Sequence, residues 1–339
     1  MANSVSPTNT ILTSALVIGG CGFLGSHIVE QLLHDAAVSV AVVSRKPRPK
    51  GNDLRVSYHA ADITDEAQIL ALFDKIKPHV VIHTASPHYT DSAAALLRTN
   101  VEGTKVLLKS AKACLQTCAF VYTSSDSAVV QTQFPLAEEK AELYNEIRFA
   151  NPYGKSKAIA NALVLAANSS NLHLPAIYGE NDNNFIPQLL SSVRKKEHKM
   201  QVSQNKKLFG FIYVQKAAEA HVLTAGALLR QEPTANVAGE AFFITDGKPQ
   251  PFFDFSRKCY AAAGHPVAPE EVTTILLSLM QVFASAGECA YKVFTLGYKQ
   301  PQLRRDSIDH LDIREVGYEP VADQDEAIKR SMEWAMASL

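Results

Sequence analysis

A doubly wound α/β fold with a parallel sheet and a smaller C-terminal lobe is what this sequence predicts, on three observations. Short apolar, β-branched runs alternate with amphipathic stretches through the first half, as strands buried on both faces alternate with crossover helices. Glycines crowd the point where the first run meets the first amphipathic stretch, in GGCGFLG (19–25). The 339 residues, 47% hydrophobic and 20% charged, are ordinary for a folded chain and long for a single core.

The elements follow in order. ALVIGG (15–20) makes the first strand, and GFLGSHIVEQLLHD makes a helix with Ile28, Leu32 and Leu33 near one face. VSVAVVS (38–44) is the second strand. DEAQILALFDKIK opens with acids and closes with lysines, matching a helix dipole. A strand in HVVIHTAS precedes a long helix from about Asp91 to Ala113, then a strand in AFVYTSS and a helix that starts at Pro152. Strict alternation of this kind implies a Rossmann-type sheet. From about Ile177 the elements shorten and prolines increase. The division is therefore a dinucleotide-binding domain over 11–175 and a substrate-binding lobe over 176–339, with some chain returning to the first domain.

Composition narrows the function. A net charge of −1 gives no reason to expect a nucleic-acid partner. The five cysteines (Cys21, Cys114, Cys118, Cys259, Cys289) are odd in number and form no C-x-x-C pair. That argues against a disulfide framework or a zinc site, so no metal is expected and a reducing, cytoplasmic setting is. The N-terminus lacks the basic start and apolar run of a secretory signal. The apolar stretch 273–294 is interrupted by Gln281, Glu288 and Lys292, which favours a buried or amphipathic helix over one lying on a membrane.

The glycines point to a dinucleotide. Gly19, Gly22 and Gly25 stand at G-x-x-G-x-x-G spacing, and Gly20, Gly22 and Gly25 also satisfy G-x-G-x-x-G. Such a turn, with Phe23 and Leu24 completing it, lets backbone approach a pyrophosphate at a helix N-terminus. The second strand ends in Ser44, Arg45 and Lys46 without an acid, so NADP is favoured and NAD stays open. In ADITD, Asp62 with Ile63 is placed for adenine, and Asp65 suits a helix N-cap. NPYGKSK (151–157) sets Tyr153 and Lys157 on one helical face; alone, that is either a catalytic pair or a solvated surface.

GGCGFLGSHIVEQLL, HTASP, RTNVEGTKVLLKSAK, FVYTSSDSAV, NPYGKSKAIAN, PAIYGEND, FIYVQKAAEAH and GEAFFITDGKPQPFFDF occur in the order found in extended short-chain dehydrogenases. Over about residues 11 to 335 the chain most resembles the branch of 3β-hydroxysteroid dehydrogenases and decarboxylating sterol-4α-carboxylate 3-dehydrogenases. The resemblance implies that Tyr153 and Lys157 are the catalytic centre. Lys157 and a positive nicotinamide would lower the phenol from its usual value near 10, letting Tyr153 exchange a proton with a substrate oxygen. Lys157 would also hold the nicotinamide ribose. The resemblance implies Ser125 as the donor that fixes the substrate oxygen, with Ser124 the alternative. It implies Asn100 as the organiser of a water, where a helix-bending polar residue is the plainer role. Thr84 and Ala85 would pass beneath the cofactor, and Pro175, Ile177 and Tyr178 would sit against the nicotinamide. His83 and His221 are expected to be structural, having no second ligand at useful spacing.

Departures from the family pattern carry expectations of their own. LAANSSNLHLPAIYGE leaves only about Leu172 to Leu174 for a strand, a shortening that would shift the nicotinamide pocket. DHLDIREVGYEP is also short, and Gly210 and Lys216 replace an acid and an asparagine. The apolar, aromatic C-terminal half suits a hydrophobic partner, a sterol or terpenoid alcohol or ketone, although such aromatics also build cores. The function expected is an NAD(P)-dependent oxidoreductase interconverting a 3β-hydroxyl and its ketone. The alternatives are a dihydroflavonol-reductase-like carbonyl reductase and a catalytically impaired dinucleotide binder. Peripheral contact with the endoplasmic reticulum membrane and a homodimer remain open expectations.

Overall fold

The structure is a computed structural model, and it describes residues 12–49, 51–130, 142–143, 151–230, 237–276 and 323–338. Seven parallel strands form one sheet: β1 (Ser14–Ile18), β2 (Ser39–Ser44), β3 (Val56–Ala60), β4 (Val80–His83), β5 (Ala119–Ser125), β6 (Ser170–Leu174) and β7 (Ala241–Phe243). Their order is β3-β2-β1-β4-β5-β6-β7, so the strand order reverses between β1 and β4. Ligands of such sheets settle beyond the strands' carboxyl ends at that reversal. Register there pairs Ile18 with Val43 and with His83, and Ser125 with Leu174.

Alternation along the strands sends Val17, Val42, Ile82 and Val121 to one buried layer and Leu16, Ile18, Val43, Phe120 and Tyr122 to the other. Helix α1 (Phe23–Leu32) closes the first layer through Ile28 and Leu32. Helix α2 (Glu66–Ile76) closes the second through Ile69 and Phe73. Asp65 is its N-cap as expected, accepting the Gln68 N–H at 3.1 Å.

The long helix expected from Asp91 to Ala113 is instead three pieces: α3 (Ala93–Leu96), a π-helical segment Leu97–Gly103, and α4 (Thr104–Ala113). The wider segment carries Asn100 into the interior, and π-bulges of this kind concentrate at functional sites. Helix α5 (Pro152–Ala166) is capped by Asn151, whose side chain accepts the Gly154 N–H at 2.8 Å.

The strand expected at Leu172–Leu174 begins two residues earlier. Asn168 takes a left-handed conformation (φ 56°), which asparagine tolerates, and this turns the chain from α5 into β6 at Ser170. All five residues of β6 are buried and in register with β5. The stretch 273–294 also departs from expectation at its start: Thr273–Ile275 is a short strand beside Met200–Val202. Its remainder lies outside the described residues, as does DHLDIREVGYEP. No helix among the described residues is long and apolar enough to cross a membrane.

Beyond β6, the short strand Ala176–Tyr178 pairs with Phe211–Tyr213, and helices α6 (Phe185–Arg194), α7 (Val214–Arg230), α8 (Phe252–Ala262) and α9 (Gln324–Ala337) pack around them. The aromatics of FFDF are core as well as lining. Phe255 stacks on Phe211 with centroids 3.7 Å apart, while Phe252 and Phe209 reach the cleft. Two buried carboxylates hold this region. Asp182 accepts the N–H groups of Asn184, Phe185 and Ile186 at the start of α6. Asp246 accepts the Tyr178 hydroxyl at 2.7 Å, the Tyr213 N–H at 3.0 Å and the Gln324 amide at 3.2 Å.

Candidate active site

A cleft of about 1420 Å3 runs along the carboxyl ends of the strands. It is built first by the turn after β1. Gly19 has φ 87°, and a Cβ there would lie 2.8 Å from Thr84 Oγ1 and 2.9 Å from the Ala85 nitrogen. A Cβ on Gly25 would lie 2.2 Å from the Gly19 carbonyl oxygen, so glycine is what lets α1 start this close to β1. Helix α1 has Gly22 as its N-cap, with no side-chain cap and no acid in its first turn. Its leading N–H groups are therefore turned to the cleft without a competing side chain, which suits an anionic pyrophosphate.

Gly19, Gly22, Phe23, Leu24 and Gly25 all line the cleft, as do Thr84 and Ala85 opposite them. At the β2 end, Ser44, Arg45 and Lys46 line it too, joined by Arg48, which sequence reasoning had not singled out. Asp62 and Ile63 lie across from them. The Asp62 carboxylate is already engaged: it accepts the Thr64 N–H and hydroxyl and pairs with Arg98 at 3.0 Å. These contacts, the Thr64 N–H foremost, hold its pKa below the ordinary value.

At the other end the C-terminus of β5 meets α5. Tyr153, Lys157, Ser124 and Ser125 line the cleft together, with Pro175 and Ile177. Tyr178 does not join them, contrary to expectation. It is fully buried, turned to Asp246 and packed against Phe255. Tyr153 is half-buried and hydrogen-bonded to Ser125. Ser125 Oγ also donates to Asp126 at 3.1 Å and accepts the Ser127 N–H at 3.2 Å. Ser124 Oγ is buried and has no hydrogen-bond partner among the described residues.

Lys157 is only 2% exposed, and its Nζ donates to the Thr123 carbonyl at 2.8 Å. Burial pushes this lysine down to about 7 and Tyr153 up to about 12, the latter despite the opposing Ser125 hydrogen bond. The phenol was expected below its usual value. In the protein alone, desolvation outweighs the Ser125 hydrogen bond, and the Asp126 carboxylate adds to the rise.

Asn100 stands apart from the cleft lining, in the layer behind it. Its Nδ2 donates to Ser156 Oγ at 2.9 Å, Ser156 donates to the Tyr153 carbonyl at 2.8 Å, and Asn100 Oδ1 is a buried acceptor without a partner among the described residues. His221 sits between Thr123 Oγ1 (2.8 Å) and the Ala217 carbonyl (2.7 Å), while His83 touches Thr104 Oγ1 at 3.2 Å. Both are buried and pushed well below the usual imidazole range, to about 4 and about 3. Sequence reasoning also missed His173, whose Nδ1 donates to the Ser125 carbonyl at 2.9 Å; that partner is 48 residues away.

A family model described as the 3-beta hydroxysteroid dehydrogenase/isomerase family matches residues 16–272. The chain belongs to that family. A relative named sterol-4-alpha-carboxylate 3-dehydrogenase, decarboxylating, from Gibberella zeae is 53% identical over 292 residues, spanning 81% of this chain and 96% of that protein. The enzyme of the same name from Schizosaccharomyces pombe is 31% identical over 338 residues, spanning 95% and 97%. Among solved structures, the epimerase Mth375 of Methanothermobacter thermautotrophicus superposes with TM-score 0.73 at 16% identity, over 96% of this chain and 93% of that one. WbmH of Bordetella bronchiseptica, in complex with NAD+, gives 0.70 at 16% identity over 96% and 99%. These two likenesses establish the fold. As a member of the 3-beta hydroxysteroid dehydrogenase/isomerase family, the chain is a nicotinamide-dependent oxidoreductase that acts on a secondary alcohol or its ketone.

Proposed function

We propose that this chain oxidises the 3-hydroxyl of a sterol bearing a carboxylate on the neighbouring carbon 4, and that NADP is its preferred dinucleotide. The observation that carries the reading is the meeting of Tyr153, Ser125 and Lys157 at the end of β5, in the same cleft as the glycine turn. When bound, the nicotinamide supplies the hydride acceptor. Tyr153 takes the hydroxyl proton, and Ser125 orients the substrate oxygen against it. Lys157, fixed by the Thr123 carbonyl, sets the electrostatics beneath the phenol and reaches for the ribose. Asn100 supports α5 through Ser156, and its Oδ1, unpartnered among the described residues, can hold a water behind the cleft.

The dinucleotide preference rests on the β2 end. Arg45, Lys46 and Arg48 are exposed there, and the acid across the cleft, Asp62, is taken by Thr64 and Arg98. A 2′-phosphate meets cations and no free carboxylate. The division of labour after Pro175, and collection of a sterol at a membrane surface, belong to the same proposal. The loss of CO2 needs no residue of its own, because a 3-keto-4-carboxylate decarboxylates readily once formed. The strand β6, five residues long and in register, removes the reason for expecting an impaired pocket.

The test incubates purified protein with a 4α-carboxy-3β-hydroxysterol and NADP+ or NAD+, following nicotinamide absorbance, ketone and released CO2. Ketone and CO2 in equal amounts, faster with NADP+, are expected. Absence of any ketone, or turnover only of ketones and only with reduced cofactor, refutes the proposal.

A further inference from the structure

The cations lining the cleft are distributed unevenly. Arg45, Lys46, Arg48 and Arg98 gather at the β2–β3 end, and Lys157 is committed to the Thr123 carbonyl. The end over β5 therefore holds no free ammonium or guanidinium among the described lining residues. Among those residues its one carboxylate is Asp126, which accepts the Ser125 and Ser127 hydroxyls.

Above that end lies a polar bridge. His88, on the loop after β4, hydrogen-bonds to Asn184 Oδ1 at 3.2 Å, at the start of α6. In the sheet β5 lies between β4 and β6, so a contact from the loop after β4 to the chain following β6 spans the end of β5. Both residues line the cleft. The oxygen of Asn184 can only accept, so the His88 Nε2 carries the hydrogen, and Nδ1 takes the Thr90 hydroxyl at 2.7 Å. Asn184 Oδ1 also accepts from Gln188 at 2.8 Å. Its amide nitrogen has no hydrogen bond among the described residues, leaving two N–H donors beside the imidazole N–H.

On the reading of a 4-carboxylated sterol given above, the carboxylate is attached one bond from the carbon that bears the reacting hydroxyl. With that hydroxyl at Tyr153 and Ser125, the carboxylate must lie over the end of β5. Asp126 repels it from the turn that follows β5. We infer that Asn184 and His88 form the substrate-carboxylate site: the unpaired N–H groups of the Asn184 amide donate to the carboxylate, and the His88 Nε2–H, held on Asn184 Oδ1, fixes the orientation of that amide. These two residues would thus set specificity for carboxylated over uncarboxylated sterols.

The experiment measures kcat/KM for two substrates, a 4α-carboxy-3β-hydroxysterol and its 4α-methyl counterpart, in wild type, His88→Leu and Asn184→Asp. Wild type should prefer the carboxylate. His88→Leu, which releases the Asn184 amide from its fixed orientation, should cut the ratio between the substrates by up to about tenfold, as a hydrogen bond to a charged group is weakened. Asn184→Asp, which places a like charge at the site, should cut it further. Binding of the carboxylated sterol to the Tyr153→Phe protein, measured by equilibrium dialysis, should weaken in parallel when His88→Leu is added. A purely structural role lowers both substrates alike and leaves the ratio intact, which overturns the inference. So does a wild type without preference for the carboxylate, a result that leaves the dehydrogenase reading standing. Oxidation of neither sterol by wild type overturns both.

Discussion

Replacing Lys157 by methionine should make the protein more stable and inactive. The lysine is buried, and burial brings its pKa from 10.5 to about 7. In the unfolded chain it keeps its proton up to about pH 10.5. Below pH 7 both states are charged and the folded state bears the whole desolvation penalty, on the order of 5 kcal/mol. Between 7 and 10.5 only the unfolded state holds the proton, so the penalty shrinks as pH rises. Above that range it vanishes. Methionine of similar volume removes the penalty but forfeits the bond to the Thr123 carbonyl, which returns about 1–2 kcal/mol. The net gain near pH 7 is then about 3 kcal/mol, or roughly 4 °C for a chain of this length. Thermal unfolding of both proteins at pH 7 and 9.5 checks it, with turnover measured alongside. A variant less stable than wild type at pH 7, or a gap that does not narrow at pH 9.5, refutes the reasoning.

Other expectations follow from the same contacts. Tyr153→Phe should lower kcat by about a thousandfold, the range of lost acid–base catalysis, while NADPH affinity measured by fluorescence titration stays within a few-fold. Arg45→Ala should weaken NADPH by about tenfold and leave NADH nearly unmoved; equal losses for both would mean that Arg45 does not meet a 2′-phosphate. Tyr178→Phe should cost about 1–3 kcal/mol in urea unfolding, because the buried Asp246 carboxylate loses its 2.7 Å donor. Acid should also destabilise the fold early. His83, His173 and His221 stay neutral in the folded state down to about 3, 4 and 4, whereas the unfolded chain takes up protons from about pH 6.5. Stability present above 6.5 is therefore lost as pH falls, by about 2 kcal/mol per histidine at pH 5. Asp182 and Asp246, whose carboxyls burial raises, oppose this only where they begin to protonate. Melting temperatures at pH 7.5, 6 and 5 measure the slope.

What could be read from the sequence was local. GGCGFLG and NPYGKSK act through neighbours within one turn of helix, so spacing marked Gly19 and Gly25, while Tyr153 and Lys157 needed the ordered family motifs beside their spacing; all four line one cleft. Asp65 as a cap is equally local. Features set by distant partners were not legible. Nothing in RTNVEGTK marks a π-helical turn, whose depth depends on Ser156 across the helix pair. Tyr178 was misplaced because its direction is chosen by Asp246, 68 residues on. The start of β6 was misjudged because the left-handed Asn168 shortens the connection. The phenol's upward shift escaped because a motif names charges and not the depth at which they are buried.

The seventh strand has a consequence for how the chain is made. Ala241–Phe243 covers the outer side of β6, pairing Asn171 with Ala241 and His173 with Phe243. Until a growing chain has emerged past residue 243, SNLHL is a raw sheet edge with unpaired backbone groups. A nascent or truncated chain ending near Arg230 would carry the whole glycine turn and Tyr–Lys pair yet offer that edge to any passing strand. Synthesis from the N-terminus thus leaves an interval of aggregation hazard, closed only by a segment from the far half of the protein.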